Sequence, residues 1–305
     1  MTLYILGNGF DLHHKLNTSL SDYAKYLKKH NNSLYEKLSL CLPLNRNWSN
    51  FEESFSQIKI MTALSELDDT LPDADNERSG LEWIYYDQAE NFIKQFTIDV
   101  QNTMNDWILS LDYSQLKRSS YVTFDKNCKI LSFNYSKTVE YLYNPKGSLL
   151  HIHNLAKKRE KYRYKPDEVD LGLPEEENSD IIIGHSPVIS SQQYIMNPRY
   201  DSYQNMLRSI NFDTLSNLIT LTTKNAAEII QANATSFCNL NKIDKVVVYG
   251  HSLGDCDIPY FETVLKNIQP TANFEFYYYS TEDLNTIKVF SSKYLDNRNT
   301  NYVRW

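Results

Sequence analysis

Four short stretches carry residue types that could do chemistry. The first is Gly7-Asn8-Gly9, which closes the apolar run Thr2–Leu6 and comes just before a helical pattern. Two glycines between a strand and a helix let a phosphate approach the backbone, and helix N-terminal N–H groups attract the anion. Gly7 and Gly9 fit the G-x-G of dinucleotide-binding turns, but Leu12 stands where a third glycine would be. The full fingerprint is therefore absent, and a glycine turn after a first strand is also plain α/β punctuation. The other stretches are Phe133-Asn134-Tyr135, His151-Ile152-His153 and Gly250-His251-Ser252-Leu253-Gly254-Asp255. Each follows a β-prone run. A strand's period of two puts His151 and His153 on one face. Asparagine offers an amide to a ribose or a water, and histidine a base that works near neutral pH.

Two rival chemistries are weaker. Gly250-His251-Ser252-Leu253-Gly254 is a literal G-x-S-x-G, the nucleophile elbow of α/β-hydrolases. Those enzymes place their acid and then their histidine after the serine, whereas all seven histidines here precede Ser252. For a metal, His151 with His153 and Asp255 with Asp257 are two-residue pairs that no H-x-x-x-H or cysteine partner completes. No metal is expected.

The elements that must position these stretches follow from pattern. Glycine is scarce, and five of the eight (Gly7, Gly9, Gly184, Gly250, Gly254) sit just past predicted strands. Strands are expected at Thr2–Leu6, Lys129–Phe133, Leu149–His153, Ile181–Ile183, Lys245–Tyr249 and Phe274–Tyr279. Helices are expected from Thr18 or Ser19, from Ser49 or Asn50, over Leu81–Leu111 and over Phe212–Phe237. A last helix is expected around Glu282–Ser292, before a polar tail. Glu52 and Glu53 suit a helix's first turn better than catalysis, and Asp257 reads as the cap of a helix with Pro259 in its first turn. Residues 157–177, six basic side chains and then six acidic ones, read as a solvated loop. The expected fold is α/β, a doubly wound and mostly parallel sheet with a large helical insertion after the first strand. Residues 1–12 and 113–305 form its core, 13–112 the insertion, and 155–180 a charged loop.

Composition sets the bounds. At 305 residues, 41% hydrophobic and with 23 tyrosines, the chain can bury a core. A net charge of −7 gives no general attraction for nucleic acid or for an anionic membrane. No apolar run reaches the length of a membrane span, and no signal peptide is visible. Four scattered cysteines fit a reducing cytoplasm.

Several stretches together resemble the bacteriophage abortive infection protein AbiH family. They are Leu3–Leu12, Thr18-Ser19, Trp48-Ser49-Asn50-Phe51-Glu52, Phe133-Asn134-Tyr135, His151-Ile152-His153 and Gly250–Asp257. That family is similar in turn to the Rossmann-like SIR2-like domains of antiphage systems, several of which hydrolyse NAD. The resemblance implies a catalytic pair, Asn134 for the ribose or water and His153 for the proton. It also places Gly7, Gly9 and Ser252 on nucleotide-binding positions, and Asn8, Phe10, Asp11, His151, Gly250, His251 and Asp255 are expected to bind the nucleotide with them. Ser136 departs from the aspartate usual there, Asn154 from a glycine, and Lys15-Leu16-Asn17 from Gly-Leu-Pro. The implied function is an antiphage effector cleaving the N-glycosidic bond of NAD or a related nucleotide. The alternative is a non-catalytic nucleotide-binding sensor or interaction module. Expected partners are the nucleotide, a phage-derived trigger or defence-system protein, and a second copy of the chain.

Overall fold

The computed structural model describes residues 1–68, 81–158, 181–188, 192–196, 198–199, 202–295 and 298–305. Its elements run β1 (Thr2–Leu6), α1 (Asn8–His13), α2 (Leu20–His30), α3 (Asn32–Cys41), α4 (Phe51–Ser54), α5 (Ile60–Asp68), α6 (Leu81–Leu109), β2 (Cys128–Ser132), α7 (Thr138–Tyr143) and β3 (Ser148–His151). They continue with α8 (Ser202–Leu221), α9 (Ala226–Ala232), α10 (Ala234–Cys238), β4 (Lys245–Tyr249), α11 (Ile258–Asn267), β5 (Asn273–Tyr278), α12 (Thr281–Tyr294) and β6 (Thr300–Arg304).

Among the described residues the strands form one all-parallel sheet in the order β3-β2-β1-β4-β5-β6. β1 and β4 lie at its centre because they are nearly all apolar and buried on both faces. Leu3 and Ile5 pack on one face with Val246, Val248, Phe133, Tyr260 and Phe261. Tyr4 and Leu6 pack on the other with Phe10, Ile130, Val139 and Tyr249. The chain is thus a doubly wound, Rossmann-like α/β protein, with helices following the first strand.

The chain divides into two compact units, one of residues 1–22, 104–182 and 225–305, the other of residues 23–103 and 183–224. The second unit holds α3 to α5, most of α6, and α8 from its other segment. Within it, Glu52 of the Trp48–Glu52 stretch pairs at 2.9 Å with Lys224, whose ammonium is buried. The expected helix Phe212–Phe237 is three helices. A break at Thr222–Asn225 divides the first two, and Asn225 caps α9 by accepting from the Glu228 N–H at 3.3 Å. Ile181–Ile183 forms no strand; the Ile182 N–H instead donates to the His153 carbonyl at 3.0 Å. The expected polar tail contains β6, an edge strand whose half-exposed residues give little apolar alternation to read. The charged loop falls mostly on residues 159–180, outside the described residues.

The two central strands end in turns whose backbones touch. A Cβ on Gly9 would lie 2.7 Å from the Gly250 Cα, and one on Gly7 2.5 Å from the His251 Cα. Gly250 itself has φ +58°. Gly250→Ala therefore combines a left-handed backbone, about 1–2 kcal/mol, with an overpacked contact of about 1–3 kcal/mol. Gly254 is the internal contrast, because a Cβ there meets nothing nearer than 3.9 Å. Thermal melts should show Gly250→Ala destabilised by about 2–5 kcal/mol and Gly254→Ala within about 1 kcal/mol of the parent. Equal melting of the two variants would refute the interlocked turns.

Candidate functional site

Leu6, Ser132, His151 and Tyr249 share one register row across β1, β2, β3 and β4. Residues 7, 133, 152 and 250 therefore leave the sheet side by side at its C-terminal edge. The strand order reverses between β1 and β4, and open α/β sheets bind ligands at such a reversal.

The glycine turn is engaged with the protein itself. The Gly7 N–H donates to the Tyr249 carbonyl at 3.0 Å and the Gly9 N–H to the Gly250 carbonyl at 2.8 Å. The two amides expected to face a phosphate instead join β1 to β4. Asn134, buried, donates from Nδ2 to the Gly7 carbonyl at 3.0 Å and so secures the turn from β2. Asn8 is exposed, and its Nδ2 donates to the Thr18 carbonyl at 2.8 Å. Phe10 is buried among His14, Phe124, Tyr143 and Tyr249, a core position rather than a base-stacking one.

Beside this turn lies a buried charged group. Asp11 is 1% exposed and accepts from Ser136 Oγ at 2.5 Å, with Thr138 Oγ1 3.0 Å further on. The departure at Ser136 thus still has a carboxylate beside it, supplied by α1. Burial pushes the Asp11 carboxyl up to about 6, against the lowering hydrogen bonds of its neighbours. His151 places Nδ1 3.0 Å from the Asn134 carbonyl and Nε2 3.0 Å from Glu140 Oε1. Both partners are acceptors, so the doubly protonated ring is the form that satisfies both contacts at once. Burial lowers its pKa, but Glu140, the Asn134 carbonyl and Asp11 together outweigh burial and raise it.

His153 belongs to a different group. β3 stops at His151, and Ile152-His153 turn out of the strand. The two-residue period no longer applies, and the histidines do not share a face. His151 meets α7, whereas His153 packs against Phe133 and Tyr260 at ring-centroid distances of 5.4 and 5.9 Å. Its Nε2 lies 3.7 Å from Asp257 Oδ1, while Asp257 Oδ2 lies 3.6 Å from His251 Nε2. His251 Nδ1 accepts from the Leu253 N–H at 2.9 Å, so in the neutral ring the proton sits on Nε2, facing Asp257. One buried carboxylate thus stands between two imidazoles. Gly250, Leu253 and Asn154, at φ +58°, +56° and +63°, all adjoin this group, and such left-handed residues gather at functional sites.

Ser252 and Asp255 are exposed at the rim. Among the described residues Ser252 Oγ has no histidine partner, which leaves the elbow without its base. The charge of Asp255 bears on Lys293. Among the described residues no three His, Cys, Asp or Glu side chains form a set able to hold a metal ion.

The sequence model of the family described as Bacteriophage abortive infection AbiH matches residues 3–278. The chain belongs to the AbiH family. The match runs from β1 to the end of β5 and takes in all four strand-end stretches and Asp257. AbiH membership assigns the chain to bacteriophage abortive infection. No curated protein matches the chain. Among the described residues of this AbiH chain no helix is long and apolar enough to cross a membrane.

Reading the sequence missed Glu140 and Asp257 as site residues. Asp257 was read as a helix cap or one of an incomplete metal pair, and Glu140 lies eleven residues from the imidazole it holds.

Asp11 and His151 make stability depend on pH. A carboxyl raised from 3.8 to about 6 keeps a proton in the folded state that the unfolded chain has lost, so stability falls as pH rises from about 4 to 6. The shift corresponds to about 3 kcal/mol. His151, also raised, contributes stability that is complete below 6.5 and lost as pH rises through its folded value. Urea unfolding between pH 4 and 8 should show the parent weakening with pH. Asp11→Asn, whose carbonyl can still accept from Ser136, should remove the decline between 4 and 6. Equal slopes for the two proteins would contradict the buried carboxyl.

Proposed function

We propose that the chain is an abortive-infection effector that hydrolyses the N-glycosidic bond of NAD or a related nucleotide at the C-terminal edge of the sheet. The observation that supports this most is the placement of His153, at the row of strand ends with a buried carboxylate on its Nε2 side. Cleavage of a nucleotide glycosidic bond passes through an oxocarbenium-like state. The bond from C1′ to the nicotinamide nitrogen breaks, the base leaves neutral, and a water oxygen bonds to C1′. His153 takes the proton that this water gives up. The SIR2-like resemblance supplies the substrate class. Asn134 contributes by fixing the Gly7 carbonyl and the turn, and Ser252 and Asp255 lie at the rim where ribose and phosphate would enter.

A second reading, a nucleotide-binding sensor without turnover, is favoured by the engaged amides of Gly7 and Gly9 and by the saturated His151. Those groups hold the protein together and do not demand catalysis.

Incubating the purified chain with NAD and measuring free nicotinamide separates the two readings. A general acid–base group contributes about 10²–10⁴-fold. His153→Ala should therefore lose most nicotinamide release and phage protection with little change in melting temperature. Saturable NAD binding with no release by the parent would establish the sensor. Parent-level turnover by folded His153→Ala would remove His153 from the chemistry.

A further inference from the structure

Asp257 stands at the N-cap of α11, yet its side chain makes no capping hydrogen bond. It is 8% exposed and turns instead towards the Nε2 atoms of His153 and His251 at 3.7 and 3.6 Å. These are ion-pair distances, and catalytic hydrogen bonds are often this long before substrate binds. We propose that Asp257 is the positioning residue of the site, a shared carboxylate that couples His251 to His153. The proposal builds on His153 as the reactive group.

The chemistry of the three groups carries the argument. The Leu253 N–H occupies His251 Nδ1, which leaves Nε2–H as the donor on the Asp257 side. That donor favours the ionised carboxylate on one oxygen. The other oxygen faces His153, where it selects the tautomer protonated on Nε2 and leaves Nδ1 to accept. When His153 takes a second proton, the group passes from net negative to neutral, so the new positive charge is paired with a buried carboxylate already in place. Phe133 fixes the spacing, with its ring 4.4 Å from His251 and 5.4 Å from His153, edge-on to both. Tyr260 of α11, 5.9 Å from His153, and Tyr135 beyond the end of β2, 6.2 Å away, are titratable groups that also face His153. Cys256 and Asp255 adjoin Asp257 in the chain, and the charge of Asp255 bears on Lys293.

An asparagine cannot replace this carboxylate. It offers one acceptor and one NH₂ donor, so it can serve one imidazole N–H and must oppose the other. The test is ¹⁵N NMR of the histidine side chains in the full chain as pH is varied, with no substrate present. His153→Gln and His251→Asn identify the two signals. In Asp257→Asn the His153 titration should move to lower pH by about 1–3 units, and one of the two rings should change tautomer. His251→Asn keeps an acceptor for the Leu253 N–H but removes the donor to Asp257. It should move the His153 titration to higher pH, through the carboxylate that the two imidazoles share. Unchanged His153 titration in folded Asp257→Asn overturns the proposal. If Asp257→Asn does not fold, an unchanged titration in His251→Asn overturns it equally. A parent that releases no nicotinamide would refute nucleotide cleavage alone, because these spectra do not require turnover.

Discussion

The contact between the turn after β1 and the turn after β4 is the constraint on which the sheet end depends. At Gly7, Gly9 and Gly250 an added Cβ would lie within 2.7 Å of the facing backbone. Only at that separation do the Gly7 and Gly9 N–H groups reach the Tyr249 and Gly250 carbonyls. A buried donor left without an acceptor costs about 1–3 kcal/mol, so the glycines and the hydrogen bonds stand or fall together. Asn134 adds a third strand to the joint through the Gly7 carbonyl. The joint brings the His251 Cα against Gly7 and so sets where the His251 ring begins.

Two charged groups then lie on opposite sides of the sheet, with inverse composition. On the side of Phe10 and Val139, one imidazole is held near two carboxyl groups, Glu140 directly and Asp11 through the local field. On the side of Phe133 and Tyr260, one carboxylate stands between two imidazoles. In the first group both ring nitrogens are engaged at 3.0 Å. It orders the Asn134 loop and has no proton to spare without breaking a bond. The second group is set at 3.6–3.7 Å, where a proton can be gained or shared without dismantling the fold. The first group is saturated with hydrogen bonds and serves the fold, whereas the second leaves its carboxylate and imidazoles at ion-pair distances.

Much of the parallel sheet was legible because β1, β2, β4 and β5 are apolar runs, and β1, β2 and β4 end in glycine, asparagine or histidine. The strand ends were correctly seen to converge, since a parallel sheet allows nothing else. The cause of the glycines was less accessible. A phosphate cradle and a backbone-to-backbone joint need the same residue, and only the partner turn, some 240 residues away in sequence, distinguishes them. His151 and His153 were assigned one face by a rule that holds inside a strand, and the strand ends between them. Ile181-Ile182-Ile183-Gly184 looks like a strand entering a turn, yet among the described residues no strand takes up the backbone of Ile181–Ile183. β6 escaped notice because an edge strand needs few apolar residues.

Asp257 shows why a local rule can name a residue and still miss its work. Aspartate before a helix caps it when its backbone is extended, because the side chain then reaches the N–H of the second or third helical residue. Asp257 is instead at φ −101°, ψ −10°, drawn into a 3₁₀ turn over Asp255–Asp257 by its own N–H bond to the Gly254 carbonyl at 2.9 Å. The second helical residue, Pro259, has no N–H to cap, and its fixed φ already suits a helix start. The start of α11 thus needs less of a side-chain cap, worth about 0.5–2 kcal/mol elsewhere. The same 3₁₀ turn that denies Asp257 its capping geometry points the carboxylate at the histidines. Proline at this position therefore suits a helix start whose N-terminal carboxylate is turned to the imidazoles.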